Sequence, residues 1–133
     1  MADLPAPVPP AADGLAPALP TTRWQRLARY EWPFSLDARH PCSRYALLQL
    51  WPETGRRHQI RRHCKHIGHP LVGDSTHGKG AHNRAVAAYL GLARLWLHAA
   101  GLALPHPDGG RALTVQAEPG PEWDRLRQPP PPP

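Results

Sequence analysis

Apolar residues fall in short runs separated by proline, glycine and charge, and the spacing within each run predicts its element. Residues 45–50 (YALLQL) form a mostly apolar stretch of strand length, ended by Pro52, which cannot donate to a ladder. Thr54-Gly55 then opens a helix, with Thr54 as its cap. In that helix Ile60, Cys64 and Ile67 stand at i, i+4 and i+7, a narrow apolar stripe. Arg57, Arg61 and Lys65, at i, i+4 and i+8, follow a different face, with His58, Arg62 and His66 beside them. Gly68 stops the helix and Pro70 follows it, the usual order of stop signals.

Further along, Leu71-Val72 reads as a short extended piece and residues 73–83 (GDSTHGKGAHN) as a polar, glycine-rich loop. Asn83 caps a short helix through Tyr89, closed by Gly91. Leu95, Leu97 and Ala99 alternate with Trp96 and His98, the period of a strand. HPDGG turns the chain, and Leu113, Val115 and Ala117 return it as the second arm of a hairpin. Residues 121–127 make a last helical turn. Residues 22–31 fit either helix or strand, and the chain has no internal repeat.

Composition narrows this picture at the ends. Of 133 residues, 19 are Pro and 11 are Gly, and eleven of the prolines lie in residues 1–20 and 129–133. Residues 1–20 alternate Pro and Ala with little charge. They hold too little apolar surface to offset ordering, so they read as a disordered tail. Residues 129–133 read as a polyproline tail. What lies between is enough for one small domain, residues 21–128, and excludes a two-domain enzyme. No stretch approaches the ~20 consecutive apolar residues of a membrane span. The start, MADLPAPVPP, lacks the basic n-region of a secretory signal.

Charge narrows the chemistry. The chain carries 16 Lys and Arg against 10 Asp and Glu, a formal net charge of +6, and nine His. Its pI is near 10.2, which points to a polyanionic partner. Between Thr54 and Gly73 there is no acid, yet that window holds Arg56, Arg57, Arg61, Arg62 and Lys65, with His58, His63, His66 and His69. Like charges packed on two helical turns repel, and phosphate would relieve them through charge-assisted contacts. The same window holds a His/Cys set, His58, His63, Cys64, His66 and His69, but no pair of His at i, i+4. Its neighbouring cations oppose a divalent ion, so no metal is assigned. Cys64 lies on the apolar stripe, where a cysteine packs. With Cys42 as the only other cysteine there is no disulfide framework, which fits a reduced, cytoplasmic setting.

The string PETGRRHQIRRHCKHIGHPLVGD, residues 52–74, resembles the third sequence motif of the RluA-type pseudouridine synthases. The likeness extends to SRYALLQLWPETG (43–55), which resembles the strand leading into that motif. It continues through HGKGAHNR (77–84) and RLWLHAAGLALPHP (94–107), similar to its following loop and closing strand. It covers about residues 21–125, and the RRHCKH string with the GKGAHNR loop is most similar to the tRNA-directed branch of the family.

This resemblance implies isomerisation of uridine in RNA, most closely in tRNA, with no cofactor. The bond from ribose C1′ to N1 breaks, the uracil turns, and C1′ rejoins at C5. A family aspartate acts as nucleophile or as base on the ribose, a tyrosine stacks on the base, and an arginine after an aliphatic residue pairs with the aspartate. That arginine corresponds to Arg61, after Ile60. A buried carboxylate needs such a partner to stay ionised, because desolvation raises its pKa. The resemblance further implies RNA contacts from Arg56, Arg57, His58, Gln59, Ile60, Arg62, His63 and Lys65.

The chain departs from the family at the aspartate itself. No H-R-L-D-x-x-T-S-G-like string is present, so the partner of Arg61 is expected outside this chain. Asp37, in SLDARHPCS, reads as a loop acid; Asp74 has a structural role in the family; and Tyr45 lies in the wrong string for the stacking tyrosine. The expectation is an α+β architecture, a partial pseudouridine synthase catalytic domain. Its sheet is mixed but mainly antiparallel, with flanking helices and the N-terminal strands missing. The chain reads as a truncated C-terminal part whose own activity is in question. It has RNA as partner and needs neither membrane nor an obligatory protein partner. The rival readings are an RNA-binding remnant without chemistry and a zinc- or DNA-binding module.

Overall fold

Two long strands, β1 (Thr22–Trp32) and β2 (Ser43–Pro52), pair antiparallel from Thr22 opposite Pro52 to Trp32 opposite Ser43. This computed structural model describes residues 19–129; the two proline-rich tails expected at 1–20 and 129–133 fall almost wholly outside them. Pairing with β2 decides residues 22–31 in favour of strand, although most of their side chains stay exposed. A bulge between Arg26 and Ala28 leaves Leu27 unpaired and more than half exposed. The connection between the strands is held by its own polar groups: Ser35 donates to the carbonyls of Asp37 and His40, and Asp37 accepts from the amides of Arg39 and His40.

Two helices follow, α1 (Gln59–His66) and α2 (Gly80–Leu90). A second antiparallel pair comes next, β3 (Gly101–Pro105) with β4 (Ala112–Gln116), and then a 3-10 helix, Pro121–Leu126. The architecture is α+β, and both sheets among the described residues are purely antiparallel two-stranded pairs. The expected mixed sheet is therefore corrected to two separate hairpin-like units.

The core sits where one face of β1–β2 meets α2 and the 3-10 helix. Trp32, Val86, Leu90 and Leu126 are buried there. Trp32 packs its ring against Tyr45 at 4.9 Å, Tyr89 at 5.4 Å and Tyr30 at 5.6 Å. Arg125 closes the end of α2 by donating to the carbonyls of Leu90 and Gly91. Gly91 takes the left-handed conformation that ends α2, with φ 70°. The β3–β4 pair lies outside this core: every residue of β4 is exposed, and Leu102, Leu113 and Val115 face solvent.

Three expected boundaries move. The strand expected from Leu95 begins instead at Gly101. Residues 92–100 run as irregular chain, because the Trp96 amide donates to Val72 and the Trp96 ring is taken by Trp123, 5.2 Å away. Thr54 caps nothing: its hydroxyl donates to the Gln59 side chain, and the helix starts five residues later. Asn83 lies within α2, which starts earlier, at Gly80; its amide is used elsewhere. No helix among the described residues is long and apolar enough to cross a membrane.

Candidate nucleic-acid interface

Helix α1 is only eight residues long, so its ends must be fixed from outside. Its C-terminus closes by a Schellman motif: the amide of His69 donates to the Cys64 carbonyl and that of Gly68 to Lys65, with Gly68 at φ 83°. Its N-terminus is fixed by Gln59, which is buried. Gln59 Nε2 donates to the Thr21 carbonyl and the Thr22 hydroxyl, while Oε1 accepts from the Thr54 hydroxyl and the Arg56 amide. His63, one turn on, shares a 2.8 Å hydrogen bond with Thr22 Oγ1. Both side chains therefore join α1 to the start of β1.

These contacts rotate the inner face of α1 away from the expected stripe. Gln59, Ile60, His63 and Cys64 face inward, whereas Ile67 lies beyond the helix and is half exposed. Arg57 precedes the helix and so does not share a helical face with Arg61 and Lys65. Burial raises the Cys64 thiol above its ordinary pKa, which suits a packed cysteine. Of the residues expected to contact RNA, Arg56, Arg57, His58, Arg62 and Lys65 are exposed. Gln59, also expected at the RNA, has both ends of its amide bonded inside the protein.

Arg61 points across to the following loop. Its Nε donates to Asp74 Oδ2 at 2.8 Å and its Nη2 to Asp74 Oδ1 at 2.7 Å, a two-point fork. Asp74 is 1% exposed and also accepts the amides of Thr76 and His77 on Oδ1. The Arg61 guanidinium, followed by these amides, holds the Asp74 carboxyl far below the usual carboxylate range. Arg61 is raised in return by the same contact. The Nη1 group of Arg61 has no hydrogen-bond partner among the described residues.

The loop that carries Asp74 is fixed twice. A turn from Leu71 to Asp74 passes through Gly73 at φ 86°. A side chain there would run into the Arg94 carbonyl, so only glycine fits. Asn83, from α2, then holds both sides of the turn: Oδ1 accepts the Gly73 amide and Nδ2 donates to the Asp74 carbonyl. The result brings His77 to His58, with ring centroids 5.6 Å apart and edge to face. The backbone of His58 is left-handed at φ 52°, the one positive φ outside glycine among the described residues. Partial desolvation, then the charges of Arg61 and Arg57, hold its imidazole below the ordinary histidine pKa.

The outer surface of this unit is cationic. Arg57, Arg62 and Lys65 have no carboxylate partner among the described residues, because Asp74 is used up by Arg61 and the loop amides. Among the described residues no group of three or more His, Cys, Asp or Glu is placed to hold a metal ion. Asp37 is exposed and engaged with the amides and imidazole of its own loop. Tyr45 is built into the aromatic core, its hydroxyl 2.7 Å from His82 Nδ1. The parts missed from sequence are the Arg61–Asp74 fork, His77 and the inward role of Asn83. The only advance signal was the joint presence of GD and N in one short loop.

No family model matches the chain. It is similar to tRNA pseudouridine synthase C of Yersinia pestis, 47% identical over 111 residues, 84% of this chain and 43% of that protein. It is similar also to the proteins of that name from Pectobacterium carotovorum, 45% identical over 82% of the chain and 28% of the relative, and Vibrio vulnificus, 42% identical over 79% and 42%. The chain thus spans less than half the length of the relatives it matches.

Proposed function

We propose, starting from the chain's homology to tRNA pseudouridine synthase C, that residues 21–128 form the RNA-facing part of a tRNA uridine-isomerising domain. The observation that carries this reading is the acid-free exposed set Arg57, Arg62 and Lys65 around a sequestered Arg61–Asp74 pair. Exposed cations without internal partners bind phosphate at little desolvation cost, and the RNA backbone supplies phosphate at regular intervals. Arg61 contributes differently. Asp74 fixes two of its donors, so the plane of the guanidinium is set and Nη1 stays available for a second carboxylate. That second carboxylate is the reacting aspartate of the isomerase, carried by a segment other than this one. Arg61 keeps it ionised for its step at ribose C1′. With Cys42 and Cys64 as free thiols, the setting is reducing and cytoplasmic.

Within this chain both candidate aspartates are committed, Asp37 to its loop and Asp74 to Arg61. The chain by itself therefore binds RNA without isomerising it. The test is binding of an unmodified tRNA transcript by fluorescence anisotropy across a salt series. Each phosphate contact contributes about 0.7 to 0.9 to the slope of log affinity against log salt. Three contacts therefore give a slope near −2 to −3. A slope near zero, or no binding at low salt, refutes the interface.

A further inference from the structure

His77 was not singled out by the sequence, yet the structure spends five hydrogen bonds on placing it. Asp74 Oδ1 accepts the His77 amide, Arg61 holds Asp74, and Asn83 holds the turn on both sides of that aspartate. On the other side of the contact, His58 occupies a left-handed backbone well that a non-glycine residue enters at a cost. The Arg61–Asp74 fork thus draws the two segments together into one ring-to-ring contact of 5.6 Å. Packing does not explain it, because His58 is exposed and His77 only half buried.

The groups that face His58 are Arg57 beside it, Arg61 on α1, and His77 and Asp74 on the loop. Asp74 has no accessible surface left to offer a ligand. The open side of the pair therefore presents imidazole and guanidinium only, a surrounding that repels a proton in the free protein and favours an anion.

We propose that His58 and His77 form a proton-linked clamp for one phosphodiester of the bound RNA, in which the pair takes up a proton as the phosphate arrives. This rests on the reading of the α1 surface as an RNA interface and adds His77 to it as a binding residue. In the free protein, desolvation with the charges of Arg61 and Arg57 holds the His58 imidazole below its ordinary pKa. A phosphate anion on the open side of the contacting rings reverses that balance, because an opposite charge within a few ångströms favours the charged imidazolium. The bound pair then donates two N–H groups to the phosphate oxygens, one of them charge-assisted.

The test is tRNA binding by the full chain at constant ionic strength between pH 6 and 8. Uptake of one proton tightens binding by up to about tenfold per pH unit as pH falls. His58→Asn, which tolerates the left-handed backbone, and His77→Gln should each flatten that dependence. Arg62→Ala should weaken binding equally at every pH and keep the slope. Histidine-selective NMR on the unaltered chain reads the same event directly: the His58 ring signal should stay protonated to higher pH in the complex than in the free chain. Binding whose pH slope survives both histidine variants, or a His58 ring signal that titrates alike with and without tRNA, overturns the clamp and leaves the interface standing. Absence of tRNA binding at any pH overturns both.

Discussion

Arg61 and Asp74, thirteen positions apart, close a two-point fork with the carboxylate wholly out of solvent. The pair joins α1 to the loop before α2 and sets the plane of the Arg61 guanidinium. Asp74→Ala removes the acceptor of two loop amides as well as the fork, and each unsatisfied buried donor costs about 1–3 kcal/mol. Asp74→Asn retains an oxygen for those amides and should cost visibly less. Urea unfolding of the three chains checks the order.

The same carboxylate sets the response to acid. Its folded pKa is depressed, so its stabilisation is complete above the unfolded value near 4 and is lost as pH falls below it. The urea midpoint should hold from pH 7 to 5 and drop below pH 4. Asp74→Asn should show a shallower drop over that window.

Replacing Arg57, Arg62 and Lys65 together by Ala should reduce the salt slope of tRNA binding by about 2 to 3, at about 0.7 to 0.9 per lost contact. Thermal unfolding should change little, because none of the three is paired with an acid among the described residues. An unchanged slope would place the RNA elsewhere on the chain.

Incubation of this chain with unmodified tRNA should form no pseudouridine, as mapped by a chemical adduct and primer extension. Asp37→Ala should leave that result unchanged. In an enzyme that combines this chain with an aspartate-bearing segment, Arg61→Ala should lower turnover by at least ~100-fold, while Arg57→Ala should mainly lower affinity.

The β3–β4 pair carries Leu102 opposite Val115 and Leu104 opposite Leu113, so four aliphatic side chains share one face. Leu102, Leu113 and Val115 are exposed, and two strands with a largely uncovered apolar face are marginal in water. Leu102→Thr with Val115→Lys should shift the chain from aggregate toward monomer in light scattering, while the melting of the Trp32 core stays within a few degrees.

Much of this fold was legible from local rules. Pro52, Gly68 and Gly91 end their elements where proline and glycine should, and the HPDGG turn does join an antiparallel pair. What local rules missed depends on distant partners. Residues 22–31 became a strand because β2 runs beside them. Residues 95–99 did not, because Val72 and Trp123 claim Trp96 first. Within the site, exposure of Arg57, Arg62 and Lys65 followed from the acid-free window. The internal bonds of Gln59 were not legible, because its partners, Thr21 and Thr22, stand more than thirty residues earlier. The Asp74 fork depends on the way the Gly73 turn folds back, which spacing alone does not encode.

Asn83 has a consequence for how the molecule breathes. One side-chain amide, rooted in the first turn of α2, holds the Gly73 amide and the Asp74 carbonyl at once. Local opening of residues 73–83 therefore cannot proceed piecemeal: releasing α2's first turn frees the aspartate, and freeing the aspartate unlocks Arg61. The loop, the start of α2 and the charged end of α1 should exchange their amide hydrogens as one cooperative unit, at a rate separate from that of the Trp32 core.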